Sequence, residues 1–342
     1  MRFVQVGDIH FDVPFRAISD RAGLGEMRRL EQRKAFKKVI DFVNDKKVDF
    51  LFICGDLYEQ DYVRKSTIDF INNEFKMLNN TKVILVPGNH DPLIKNSYYN
   101  NYNWNENVII VDKNIRKIES DDVNIYAYGF EDFELENEEV YNLNLDRDKY
   151  NILLTHGDLY SASKYNSINL KKVMQLGFDY IAIGHIHKRD EYYSGSLISL
   201  GFDELGEHGF IYGEVKDKIL DREFIKADDR EFIVEDLDVS NIESEDELIE
   251  ILNEINTKDN LYEINLVGKR KSSFDINIKL VQENIIKIKD STEFDINFEN
   301  KRNEKTLTGF FLKNLKEKLE NGEITEEQYK KVLEVGYKIL IK

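Results

Sequence analysis

Five times within residues 1–190, a short apolar run stops at a glycine or threonine and gives way to metal-seeking side chains. The instances are FVQVGDIH (3–10), FLFICGDLY (50–58), VILVPGNHD (83–91), NILLTHGD (151–158) and YIAIGHIH (180–187). Continuous apolar runs of this length read as strands buried on both faces, so the sheets they form must be covered. Helical stretches separate the first three. Leu30, Phe36, Val39, Ile40 and Val43 mark one apolar stripe, and Ile68, Ile71, Phe75 and Leu78 a second. Strand–helix–strand units of this kind imply right-handed parallel crossovers. In such sheets the ligand site lies beyond the carboxyl ends of the strands, where all five polar clusters fall. The fold class is α/β.

Residues i and i+2 of an extended segment point to one side, so His185 and His187 can face a common site, as can Asp8 and His10. Five of the six histidines (His10, His90, His156, His185 and His187) sit in these clusters, accompanied by Asp8, Asp56 and Asn89. Asp8, His10, Asp56, Asn89, His156, His185 and His187 make seven ligands, too many for one tetrahedral zinc. Their mixture of imidazole, carboxylate and amide oxygen suits divalent ions such as manganese. With one bridging carboxylate, seven residues give each of two ions four protein ligands. Two ions ~3.5–4 Å apart can activate a water and hold a scissile phosphate for in-line displacement. The set therefore reads as a binuclear phosphoesterase. His90 is left over as the acid that protonates the leaving oxygen, or as a donor to the phosphate.

The motifs D-x-H (8–10), G-D-L (55–57), G-N-H-D (88–91), T-H-G (155–157) and G-H-x-H (184–187) resemble those of the calcineurin-like metallophosphoesterase superfamily. Within it the chain is most similar to the SbcD-type DNA repair exonucleases, particularly their YhaO-like bacterial branch. DIHFDVPF (8–15) and YYSGSLISLGFDELGEHGF (192–210) carry the narrower likeness. The resemblance implies a β-sandwich flanked by helices, with two divalent ions, manganese first and magnesium, iron or zinc as alternatives. By motif, Asp8, His10 and His187 would hold the first ion, Asn89, His156 and His185 the second, and Asp56 would bridge them. His90 would be catalytic, with Asp91 orienting it. It also implies DNA as substrate and an SbcC/YhaN-like coiled-coil ATPase as partner. Homodimers are usual in this family, and RRLEQRKAFKKV (28–39) is a candidate contact.

One departure stands out. SbcD-type nucleases commonly place a histidine just after G-D-L-F, whereas GDLYEQ puts Glu59 there. An ionised carboxylate cannot donate to phosphate and repels it. A solvated loop residue is the expected reading of Glu59, and a role tuning the site the sharper one. Asp12 is expected in a turn or touching a metal-bound water, His208 in a surface turn of GEHG with substrate contact as the alternative, and Tyr160, Tyr165, Tyr192 and Tyr193 as packing residues, with base stacking at the rim as the alternative.

After Gly209 the pattern changes. Strands are expected at 209–215 and 230–239, an acidic helix at 245–255, and strands at 260–269 and 285–290. The expected organisation is a metallophosphoesterase domain over 1–228, a small α+β capping domain over 229–300 and a helical hairpin over 306–342, joined by a polar linker at 297–305. Asn321-Gly322 breaks the hairpin, Thr325 and Gln328 form a capping box, and Phe310, Phe311, Leu315 and Leu319 oppose Tyr329, Val332, Leu333, Tyr337 and Leu340. The hairpin either packs on its own cap or docks to the ATPase.

At 41% hydrophobic and 12% aromatic the chain can build a proper core. No apolar signal region or membrane span is read, and the single cysteine, Cys54, expected as a buried strand residue, suits a reducing cytoplasm. The net charge of −17 argues against holding nucleic acid on a basic surface, though bound cations can supply local positive charge. Three readings follow: a nuclease subunit of an ATPase complex, a small-molecule or nucleotide phosphodiesterase or phosphatase, and a scaffold that keeps its metals for folding. The complete ligand set counts against the last.

Overall fold

The computed structural model describes residues 1–18, 23–257, 259–271, 284–295 and 301–341. The chain divides into two compact units, Met1–Phe232 and Ile233–Lys342.

The first unit is built on two sheets. In chain order its strands are β1 (Arg2–Val6), β2 (Phe50–Cys54), β3 (Lys82–Val86), β4 (Val108–Ile110), β5 (Arg116–Glu119), β6 (Val123–Ala127), β7 (Tyr150–His156), β8 (Tyr180–Gly184), β9 (Gly209–Lys216) and β10 (Ile219–Lys226). One sheet runs β10-β9-β1-β2-β3-β4 and the other β5-β6-β7-β8. The expected parallel core is present in both: β1 to β4 pair in parallel, as do β6, β7 and β8, with antiparallel strands at the edges.

The two-residue period of a strand explains the layering. Phe50, Phe52 and Cys54 of β2 join Ile152 and Leu154 of β7 and Ala182 of β8 in one core between the sheets. The alternate residues Leu51 and Ile53 are equally buried on the opposite face. Beyond the second sheet, Leu153, Ile181 and Ile183 pack with Val140, Val173 and Phe178 in another core. The central strands β2, β7 and β8 thus carry no exposed polar face. Helices α1 (Leu24–Lys46) and α2 (Lys65–Lys76) form the crossovers after β1 and β2, with Phe36 and Phe75 edge to face across them.

The stripe on α1 differs from the expected one at its start. Leu30 is 60% exposed, and the inward positions of that turn are taken by Arg28 and Gln32. Arg28 is fully buried because it has ionic work to do there: its guanidinium meets Asp228 at 3.0 and 3.2 Å, Glu31 at 2.7 Å and the Ser199 carbonyl at 2.7 Å. Asp228 in turn accepts from the Ser199 N–H at 2.9 Å. A buried charge stripped of its partner is strongly destabilising. Asp228→Ala is therefore expected to lose about 3–5 kcal/mol in chemical denaturation; a loss below about 1 kcal/mol would show that the pair contributes little.

The strand Phe232–Asp238 leads into the second unit, where it forms a three-stranded sheet with Leu261–Val267 and Ile285–Asp290, and the helix Glu245–Asn256 is capped by Ser244. Leu248, Leu252 and Ile255 of that helix pack on Tyr262, Ile264 and Leu266. Positions 297–300 of the polar linker lie outside the described residues. The helices Leu307–Glu320 and Glu326–Ile341 follow, and Thr325 with Gln328 closes the expected capping box at 2.9 and 3.2 Å. The expected apposition needs correcting: Phe310 is 66% exposed and Val332 also faces outward, while Leu312 and Leu315 are the buried leucines. The Tyr337 side chain lies outside the described ones. Among the described residues no helix is long and apolar enough to cross a membrane.

Candidate metal centre

Every strand that carries a motif ends on the same side. Asp8 and His10 follow β1, Asp56 follows β2, Asn89 and His90 follow β3, His156 closes β7, and His185 and His187 follow β8. Both sheets therefore deliver ligands to one place, which the inter-sheet core holds in register. The backbone turns sharply to aim them: Asp8, His10, Asp56 and His185 all have positive φ, at 51°, 51°, 52° and 116°. Non-glycine residues in that region are strained, and several together mark a site where geometry has been bought at the expense of stability. The motif glycines serve close approach instead. A methyl group on Gly88 would overlap Asp56 Oδ1, and one on Gly184 would overlap the Cys54 carbonyl.

The seven expected ligands converge. Single donor atoms from Asp8, His10 and His187 lie within 4.8 Å of one another, as do those from Asp8, Asp56 and His156 and those from His10, Glu59 and His90. His10 Nε2 and His187 Nε2 face each other at 3.1 Å. On the other side Asn89 Oδ1 sits 3.0 Å from His156 Nε2 and 3.2 Å from His185 Nδ1. Asp56 Oδ2 lies between the groups, 3.6 Å from His10 Nε2 and 3.3 Å from His156 Nε2, where a bridging oxygen belongs.

Three histidines present one nitrogen to this centre and anchor the other outside it. His10 Nδ1 is bonded to Glu59 at 2.8 Å, His187 Nδ1 to Glu204 at 2.6 Å, and His156 Nδ1 to the Cys54 carbonyl at 2.8 Å. Such partners fix tautomer and ring orientation and raise ligand basicity. The mixed, clustered donors and the outer hydrogen bonds fit divalent cations, the chemistry that borderline ions such as manganese, iron or zinc accept.

Electrostatics agree with a cation site. Burial alone would raise the Asp56 carboxyl, but His156, with His10 and His90, holds it far below the usual range. Burial would lower His156, but Asp56 lifts it to about 9. For His187 burial likewise pulls down, and Glu204 and Asp8 lift it to about 9. His185 moves the other way, lowered by burial and by the neighbouring His156. Raised imidazoles stabilise the metal-free fold fully below their unfolded value of ~6.5, and that contribution is lost as pH rises through about 9. A cation needs the same nitrogens deprotonated. Metal affinity is therefore expected to climb between about pH 6.5 and 9, with proton release on binding. Calorimetry in buffers of different ionisation enthalpy measures this, and affinity flat across that range would contradict it.

Three sequence expectations are corrected here. Asp91 does not turn towards His90. Its buried carboxylate accepts from the backbone N–H groups of Asp56 at 3.0 Å, Leu57 at 2.6 Å and Gly88 at 2.6 Å, and from the Tyr99 hydroxyl at 2.5 Å. It ties the second motif loop to the third. His90 is held instead by Glu59, whose Oε2 lies 3.0 Å from His90 Nδ1. Glu59 is thus no solvated loop residue: it is 13% exposed and clamps His10 and His90 with its two oxygens. Burial opposes its charge, but hydrogen bonds from both histidines hold it at about 2. His90 rises to about 9, chiefly through that bond. His208 is buried rather than in a surface turn, 2.9 Å from the Ser196 hydroxyl and 2.9 Å from the Glu204 carbonyl.

Glu204 was given no role by the sequence. It lies in the FDE triplet of the segment after the last motif, and with Ser196 at 3.1 Å and the Leu200 N–H at 3.0 Å it is fixed behind His187. A carboxylate in an otherwise turn-forming stretch was the available signal. Asp12 takes the turn role, accepting from the Arg64 N–H at 3.0 Å. Tyr193 is a packing residue, buried with its hydroxyl on the Gly157 carbonyl. Tyr160 is exposed, and the Tyr165 ring lies 5.4 Å from that of His185 at the rim.

A covered two-sheet α/β sandwich with clustered imidazole, carboxylate and amide donors at its strand ends has the architecture of a metal-dependent phosphoester hydrolase. Residues 1–189 match the calcineurin-like phosphoesterase model, more than half of the chain, and the protein belongs to that family. It is also similar to the uncharacterized metallophosphoesterase YhaO of Bacillus subtilis (strain 168), 26% identical over 250 residues. That alignment covers 67% of this chain and 61% of the relative.

Proposed function

We propose that the protein hydrolyses phosphodiesters with two divalent ions, manganese first among them, and that DNA is the substrate. The observation that carries the reading is a histidine outside the ligand set, His90, held by Glu59 beside the centre and 47% exposed to the cleft. The cations, when bound, supply an activated water and charge neutralisation for the phosphate. The chain's own residues do the rest. Bonding of its Nδ1 to Glu59 leaves His90 Nε2 free for the substrate. The water oxygen forms the new P–O bond, the bond to the leaving oxygen breaks, and His90 is placed to give that oxygen its proton or to donate to the phosphate. Diester and water become monoester and alcohol. The SbcD-like motifs support DNA, and the exposed Leu307, Phe310, Val335 and Ile339 of the C-terminal helices support docking to an SbcC/YhaN-like ATPase.

The net charge of −17 favours a second reading, a small diester that needs no basic groove. The test is manganese-dependent hydrolysis of linear duplex DNA, single-stranded DNA and bis-p-nitrophenyl phosphate by the purified chain. DNA cleavage supports the first reading, cleavage of the small diester alone the second, and no hydrolysis of any substrate overturns both.

A further inference from the structure

A cleft of 240 Å³ opens over His90, and a groove of 860 Å³ adjoins it, with Lys164 lining both. The chain as a whole is acidic, yet three lysines, Lys164, Lys171 and Lys172, line this groove against two carboxylates, Glu136 and Glu138. Lys164 is paired with Glu134 at 2.5 Å, which leaves Lys171 and Lys172, both exposed, as the cations a ligand would meet. The Lys172 ammonium lies 5.1 Å from the centre of the Tyr141 ring. Tyr160 lines the groove as well and is 58% exposed, its ring set against that of Tyr193 and its hydroxyl held by Asp190. The wall that carries Ser161, Lys164 and Ser167 is fastened to the metal centre through Asn166. This buried side chain accepts from the Tyr128 hydroxyl at 3.2 Å and donates to the His156 carbonyl at 2.7 Å, while its backbone is bonded to Leu135 and Asp158.

We infer that this groove holds the unpaired strand flanking the scissile phosphodiester, with its phosphates on Lys171 and Lys172 and a base stacked on Tyr160. This rests on the hydrolytic reading above and deepens it, since it gives the substrate a length that a small diester lacks. Ammonium groups along a groove track a phosphate backbone, and an exposed aromatic face takes any base, because every base has a π-face. A duplex keeps its bases stacked inside and offers that tyrosine nothing, so the fit is to a single strand. The net charge of −17 does not oppose it. Salt screens exposed charges over about 8–10 Å, so a phosphate in the groove feels the lysines of its wall more than distant carboxylates. Because the wall and His156 share one anchor, a strand seated there is held in fixed register with the metal centre.

The test uses the manganese-loaded protein and compares a single-stranded oligothymidylate with bis-p-nitrophenyl phosphate, which has no phosphate beyond the scissile one. In Lys171→Gln/Lys172→Gln the ratio of kcat/KM, oligonucleotide over small diester, is expected to fall about tenfold at about 0.1 M salt, and its log–log dependence on salt to flatten by about 0.7 for each phosphate released. Lys76→Gln/Lys216→Gln removes the same charge at the other end of the sheet, where β1 and β3 begin, and is expected to keep the ratio. Tyr160→Ala is expected to lower the ratio about five- to a hundredfold, and Tyr160→Phe, which keeps the ring, to restore it. An unchanged ratio in the Lys171/Lys172 variant or in Tyr160→Ala, or an equal fall in the two lysine variants, overturns the inference and leaves the hydrolytic reading standing. So does faster cleavage of the same strand when paired with its complement, or a wild type that hydrolyses the small diester but neither cleaves nor binds the oligonucleotide in fluorescence anisotropy. If wild type binds the oligonucleotide without cleaving it, affinity replaces kcat/KM, with the same falls expected. A wild type that hydrolyses neither substrate overturns both.

Discussion

Asp56→Asn is expected to lower kcat/KM for a phosphodiester by at least about 10⁴-fold, since Asp56 would hold both ions with its charge and the stabilisation that two ions would supply would be lost. Asp56 Oδ2 is placed between the two ligand groups, and Oδ1 accepts the His90 N–H at 2.8 Å. An amide fills the same space but offers one oxygen without a charge, so it would hold a second ion poorly. The metal content of the variant, measured after equilibrium dialysis, is expected to drop from two ions per chain to one at most. The fold should survive, because the core between the sheets does not involve this side chain. Retention of both ions with activity within tenfold of wild type would show that Asp56 does not bridge.

What the sequence disclosed about the site followed from local geometry. Two-residue spacing places Asp8 with His10 and His185 with His187, and strand ends in parallel sheets gather on one side. Those facts need no knowledge of the rest of the chain, and all seven expected ligands do converge. The residues that orient the ligands are separated from them in sequence. Glu59 lies 49 positions from His10, and Glu204 lies 17 from His187. No periodicity links such pairs, so a carboxylate behind a histidine reads as a solvated loop residue until the fold closes. The same limit explains Asp91. Adjacent to His90 in sequence, it points into the core and ties backbone N–H groups, because consecutive residues of a loop need not face one way. On α1 the periodicity held, but burial did not follow polarity. Arg28 replaced a leucine on the inward face because Asp228, 200 residues away, was there to meet it. In the C-terminal hairpin apolar spacing alone misplaced Phe310 and Val332.

The role of His90 separates from that of the ligands by substrate chemistry. His90→Ala is expected to leave two ions bound, because His90 stands outside the seven-residue set, held by Glu59 and packed edge to face on His10. If His90 protonates the leaving oxygen, its value depends on how badly that oxygen needs a proton. General acid catalysis contributes about 10²–10⁴-fold for a poor leaving group. DNA or an alkyl diester leaves as an alkoxide and should lose activity in that range, whereas a p-nitrophenyl ester, whose leaving group is stable as an anion, should lose tenfold or less. The wild-type preference for p-nitrophenyl over alkyl diesters therefore widens sharply in the variant. If His90 instead donates to a non-bridging phosphate oxygen, the losses on the two substrates are equal, because both present the same phosphate. Undiminished hydrolysis of both would remove His90 from the mechanism. Metal analysis of the same samples keeps these outcomes apart from a damaged centre, since a lost ion would depress both reactions and also appear in the stoichiometry.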